Sequence, residues 1–90
     1  MHEQSLINNL MDKIAEQAKI HGANKVTEVH VWLGALSHMS PEHFKEHFDI
    51  SAKDTLTDGA KLKIETSTDI HDPNAHDILL RNVQIEIEGE

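Results

Sequence analysis

The sequence predicts a small α/β (α+β) domain, two helices on one face of a three-stranded mixed sheet, in the order helix-strand-helix-strand-strand. Three observations predict it. Apolar residues recur at helical spacing near the start and alternate with polar ones over three later stretches. Helix-start signals fall between the first two of those stretches. Ninety residues hold one modest core, so 1–90 is read as a single domain.

From Glu3 to His21 the apolar residues are Leu6, Ile7, Leu10, Met11, Ile14, Ala15 and Ala18, the stripe of an amphipathic helix. Gly22 fits a left-handed cap, and Lys19 and His21 suit the negative helix end. Lys25 to Leu36 alternates, with Val29, Val31 and Leu33 on one side and Glu28, His30 and Trp32 on the other, as in a half-buried strand. Ser40-Pro41-Glu42 supplies an N-cap, a first-position proline and a dipole-favoured acid. A second helix therefore starts there, with Phe44, Phe48 and Ala52 as its apolar stripe.

Asp58-Gly59 marks a turn, after which Ala60, Leu62 and Ile64 alternate with Lys61, Lys63 and Glu65 as a second strand. Thr66 to Asp77 is polar, contains Pro73 and reads as a loop. Leu80 to Glu88 forms the last strand, with Val83, Ile85 and Ile87 on its apolar side. The first two strands, joined through a helix, are expected to lie parallel. The last two, joined by a plain loop, are expected to pair as antiparallel neighbours.

Composition narrows the function classes. There are no cysteines, which excludes disulfides, thiolate zinc sites and a cysteine nucleophile. Sixteen acids against eight bases give a formal charge of −8, which repels phosphate backbones and argues against nucleic acid as a partner. No membrane-length apolar run or export signal stands out, so no membrane partner and a cytoplasmic location are expected. No spacing resembles a nucleophile elbow or a phosphate loop, and an enzyme is not expected.

Met1-His2-Glu3 is the most informative segment. A free terminal amine, the deprotonated His2 amide nitrogen and the His2 imidazole close two small chelate rings around one metal. A fourth donor, from the Glu3 amide or carboxylate, completes a square plane. Nitrogen and oxygen donors in that plane suit Ni(II) or Cu(II) rather than Zn(II) or Mg(II). An early histidine is also commonly a solvated end residue, and the tripeptide alone leaves that reading open.

Beyond the tripeptide, Ser5-Leu6, Gly22-Ala23, Lys25-Val26-Thr27 and Leu33-Gly34-Ala35-Leu36-Ser37 follow in turn. Pro41-Glu42, Phe48, Asp58-Gly59-Ala60, Leu62 and Ile64-Glu65 complete the set. Together these residues resemble the HypA family, the nickel metallochaperones of [NiFe]-hydrogenase maturation, over roughly residues 1 to 66 and again at the final strand. The resemblance implies nickel bound by Met1, His2 and Glu3, and delivery of Ni(II) to a hydrogenase or related nickel enzyme. It implies a nickel-enzyme precursor and a nickel-insertion GTPase as partners. In that family a zinc module with paired Cys-x-x-Cys motifs lies between the second and third strands. Here a short cysteine-free loop at about 67–78 stands in its place, so no structural zinc is expected. That departure supports a second reading, an interaction or regulatory domain that kept the fold and no longer delivers nickel.

Two further sets of residues carry ligand chemistry, and a third raises the question of an interface. His43 and His47 sit at i, i+4 on the second helix, near Glu46 and His38, and form a second candidate metal site. The competing reading is a solvated face beside Phe44 and Phe48. His71 and His76, with Asp69, Asp72 and Asp77, offer an oxygen and imidazole set or a solvated acidic turn. Trp32, with His30, either marks an interface or packs under a loop or neighbouring strand.

Overall fold

The structure, a computed structural model, describes residues 2–87, with side chains from Gln4 onward. Five elements follow in the expected order: α1 (His2–Ile20), β1 (Lys25–Leu33), α2 (Pro41–Ala52), β2 (Lys61–Thr66) and β3 (Ile78–Glu86). No helix among the described residues is long and apolar enough to cross a membrane.

Helix α1 buries Ile7, Leu10, Ile14 and Ala18, one residue per turn, while Leu6 and Met11 flank them half-buried. It ends as its sequence dictates. Gly22 adopts φ +66°, the left-handed conformation that costs a glycine no Cβ clash, and the Ala23 N–H donates back to the Ala18 carbonyl at 2.8 Å.

Helix α2 begins at Ser40, whose Oγ accepts the His43 N–H at 3.1 Å with the cap residue extended at φ −80°, ψ 156°. Pro41 follows at the first helical position, where its missing N–H costs nothing. Ser40→Ala is expected to destabilise the protein by about 1 kcal/mol, read as a lower midpoint in a urea melt. A change under about 0.3 kcal/mol would show that Pro41 alone sets the start.

The sheet order is β2-β1-β3, with β1 parallel to β2 and antiparallel to β3. The mixed sheet and the parallel pair are as predicted. The expected pairing of the last two strands is not, because β3 takes the free edge of β1 instead of lying beside β2. The physical reason is burial. β1 carries Val26, Val29, Val31 and Leu33, all fully buried, and profits most from neighbours on both sides. β2 alternates lysines with apolar residues, a pattern that suits a solvated edge.

Two strand ends also shift. β1 stops at Leu33 rather than Leu36, since Gly34 opens a turn, and β3 starts at Ile78 and ends at Glu86. The expected last residue of that strand, Glu88, lies outside the described residues.

Both helices cover one sheet face, where Phe44, Phe48 and Ala52 of α2 join the α1 stripe and the inward residues of β1 in one core. The other face carries ion pairs between neighbouring strands, His30 Nε2 to Glu65 at 3.5 Å and Lys63 Nζ to Glu28 at 3.6 Å. Trp32 lies on that face yet is only 6% exposed, with the Arg81 guanidinium 5.5 Å from its ring centre. The β-bulge between His30 and Val31 places Arg81 there as the extra residue of β3. Of the two readings of Trp32, packing against a neighbouring strand holds.

Candidate metal centre

The Met1-His2-Glu3 chelate falls at the start of α1. Met1, and the side chains of His2 and Glu3, lie outside the described residues. The helix nevertheless runs from His2. The first four N–H groups of any helix have no partner within it, so the His2 amide, at its first position, can lose its proton to a metal without breaking a helical hydrogen bond. A cation placed there meets the positive end of the helix dipole, which a nearby carboxylate such as Glu3 offsets.

Two loops border the first turn of α1. One follows β1. The Gly34 N–H donates to the Asp77 carbonyl at 2.9 Å and the Leu36 N–H to the Ala75 carbonyl at 2.7 Å. His38 then takes a left-handed backbone, φ 59°, before the Ser40 cap. The other loop runs between β2 and β3 and crosses the end of β1, its Ser67 N–H bonding the Leu33 carbonyl at 3.0 Å.

The second loop is a chain of side-chain-capped turns. Asp69 Oδ1 accepts the His71 N–H at 2.9 Å and Asp72 Oδ1 accepts the Asn74 N–H at 2.8 Å. Those carboxylates therefore order the backbone. Among the described residues no three His, Cys, Asp or Glu side chains form a group able to hold a metal, so the proposed set of His71, His76, Asp69, Asp72 and Asp77 is not assembled.

Where the two loops meet, Ser5, Leu6, Ser37, His38, His76 and Asp77 border a cleft of about 460 Å³. Sequence reasoning did not bring His38 and His76 together. They are 38 residues apart, and only the unexpected strand order carries the second loop across the end of β1.

His43 and His47 do meet. Their rings stack with centres 4.6 Å apart and planes 14° off parallel, on the rim of α2, His43 exposed and His47 half-buried. The run His43-Phe44-Lys45-Glu46-His47 also has the spacing of the inverted zincin motif, which needs a third ligand from elsewhere. Among the described residues no such ligand joins the pair.

Comparison with known proteins decides the family. Residues 1–71 match the family described as hydrogenase/urease nickel incorporation, metallochaperone, HypA. The chain belongs to the HypA family. The hydrogenase maturation factor HypA of Chlorobium limicola is 35% identical over 65 residues, covering 72% of this chain and 56% of that protein. The hydrogenase maturation factor HybF of Klebsiella pneumoniae is 40% identical over 65 residues, covering 72% of this chain and 58% of the relative. This chain thus spans just over half the length of these relatives. The solution structure of the Ni metallochaperone HypA from Helicobacter pylori superposes with a TM-score of 0.78 at 20% identity, covering 98% of this chain and 100% of that one. At that identity the likeness shows the shared fold.

Proposed function

We propose that this HypA-family chain is a nickel carrier, which binds Ni(II) at a free N-terminus and delivers it to a maturing [NiFe] hydrogenase or related nickel enzyme. The observation that carries the reading is the family match running from residue 1 through the Met-His-Glu start. The ligands are the Met1 amine, the His2 amide and imidazole nitrogens, and Glu3. The metal is cargo. A site built at the chain end is open to an incoming ligand, so the ion passes to an acceptor by stepwise ligand exchange, with the nickel-enzyme precursor and a nickel-insertion GTPase as the partners.

An overall charge of −8 concentrates cations near the surface and favours loading. The short loop between β2 and β3 replaces the zinc module, so the nickel domain works without structural zinc. His43 and His47 provide a second, weaker imidazole pair for divalent transition metals.

The test is a Ni(II) titration by calorimetry at pH 7.5 on protein with Met1 free, beside His2→Ala and a version extended by a few residues before Met1. An α-amino group titrates at about pH 8, so the amine is partly deprotonated there. One tight site is expected in the wild type, lost in His2→Ala and weakened by the extension, with unchanged melting curves, while the weaker His43 and His47 binding persists in all three. A tight site retained in His2→Ala would remove the N-terminal assignment. Wild-type binding weaker than about micromolar would favour the HypA-like interaction or regulatory domain that no longer delivers nickel.

A further inference from the structure

In the order β2-β1-β3 both β2 and β3 are sheet edges, and they are built differently. β2 is short and carries Lys61 and Lys63, charges that discourage an added strand. β3 is longer, Ile78 to Glu86, with Arg81 as its single basic residue. Gln84 and Glu86 turn their carbonyls to the β1 side, accepting from the Thr27 hydroxyl at 3.2 Å and from the Asn24 N–H at 2.9 Å. Backbone groups alternate in direction along an antiparallel strand, so Val83 and Ile85 point their N–H and C=O groups to the other edge. Among the described residues no strand lies beside that edge.

The edge is one wall of a groove of about 530 Å³, and α1 is the other, with Lys13 and Gln17 facing Val83 and Ile85. Two large apolar residues stand exposed where α1 and β3 both end. Ile20, 64% exposed, lies three residues past Gln17 and seven past Lys13, on the same side of the helix. Ile87, 37% exposed, continues the alternation of Val83 and Ile85. The groove also reverses the charge of the chain. Lys13 and Arg81 border it against one acid, Glu16, in a sequence with 16 acids and eight bases.

We propose that this groove docks an extended, acidic segment of another protein, which joins the sheet as a fourth strand on the open edge of β3. Main-chain hydrogen bonds to Val83 and Ile85 supply affinity, and the groove selects the side chains. Apolar residues of the segment cover Ile20 and Ile87, while acidic ones meet Lys13 and Arg81. A second copy of this chain is a poorer match. Two molecules of charge −8 repel each other, and β3 itself offers one base and one acid, Arg81 and Glu86, with no acidic excess. The site lies away from the chain end and does not depend on the nickel reading.

The probe is a short capped peptide of alternating glutamate and valine, titrated into the full chain at physiological salt. A Kd of about 100 μM or tighter is expected, with slowed amide exchange at Val83 and Ile85. The same peptide N-methylated at alternate amides loses its strand hydrogen bonds, and a lysine and valine peptide loses the charge match. Neither should bind. Lys13→Glu should weaken binding by about fivefold or more. Lys19→Glu makes the same charge change on the α2 side of α1 and should leave binding within about twofold of the wild type. Melting curves check that both variants fold.

A Kd weaker than about 1 mM, equal losses in the two lysine variants, or binding that leaves exchange at Val83 and Ile85 unchanged would overturn the proposal. So would self-association in light scattering with those two amides protected before any peptide is added, which would assign the edge to a second copy.

Discussion

Gly34→Ala is expected to cost about 3 kcal/mol and lower the thermal midpoint by roughly 12–24 °C, although it adds one methyl group. A Cβ at this position would collide with the backbone carbonyls of Ala75 and Asn74, which belong to the loop between β2 and β3. Neither is the far end of a flexible side chain, so the loop itself must move. Two hydrogen bonds hold it there, Gly34 N–H to Asp77 and Leu36 N–H to Ala75, and each is worth about 1 kcal/mol net. Ala75 is buried, and its packing goes with them. Circular dichroism melts of Gly34→Ala beside Ala35→Gly would isolate the steric term, since Ala35 neighbours the same turn. A loss under about 0.5 kcal/mol would mean that the loop shifts freely.

That contact also marks where sequence reasoning stops. Helix α1, the Ser40 cap and the alternation in β1 are legible because each is set by residues within one or two turns of one another. The pairing order is not. β3 lies beside β1 because burial of β1 outweighs the shorter connection to β2, and no local pattern in Leu80 to Glu86 records that competition. Trp32 shows the same limit. Its position on the outward face follows from alternation, but its cover comes from Arg81, placed over the ring by a bulge that the spacing of β3 does not announce.

For the candidate site the division is similar. Met1-His2-Glu3 shows its candidate donors in the sequence, but the tripeptide alone leaves a solvated chain end equally open, and its nickel role stands as the proposal made above. The His43 and His47 pair is legible from helical spacing, and the rings do stack. The cleft joining His38 to His76 is a product of topology, and the only sequence hint is that both histidines sit in loops. Asp69 and Asp72 mislead in the opposite direction, since acids that look like ligands are engaged in capping turns.

Phe44→Ala is expected to destabilise the protein by about 3–5 kcal/mol, the largest single effect predicted for this chain. Helix α2 has three buried residues, Phe44, Phe48 and Ala52, and Phe44 is the one with no exposed surface. Its ring stands 5.9 Å from that of Phe48 at 30°, so truncation removes an aromatic contact as well as apolar area, and the rest of the core is too interlocked to fill the space. Urea unfolding should show the midpoint falling with little change in slope.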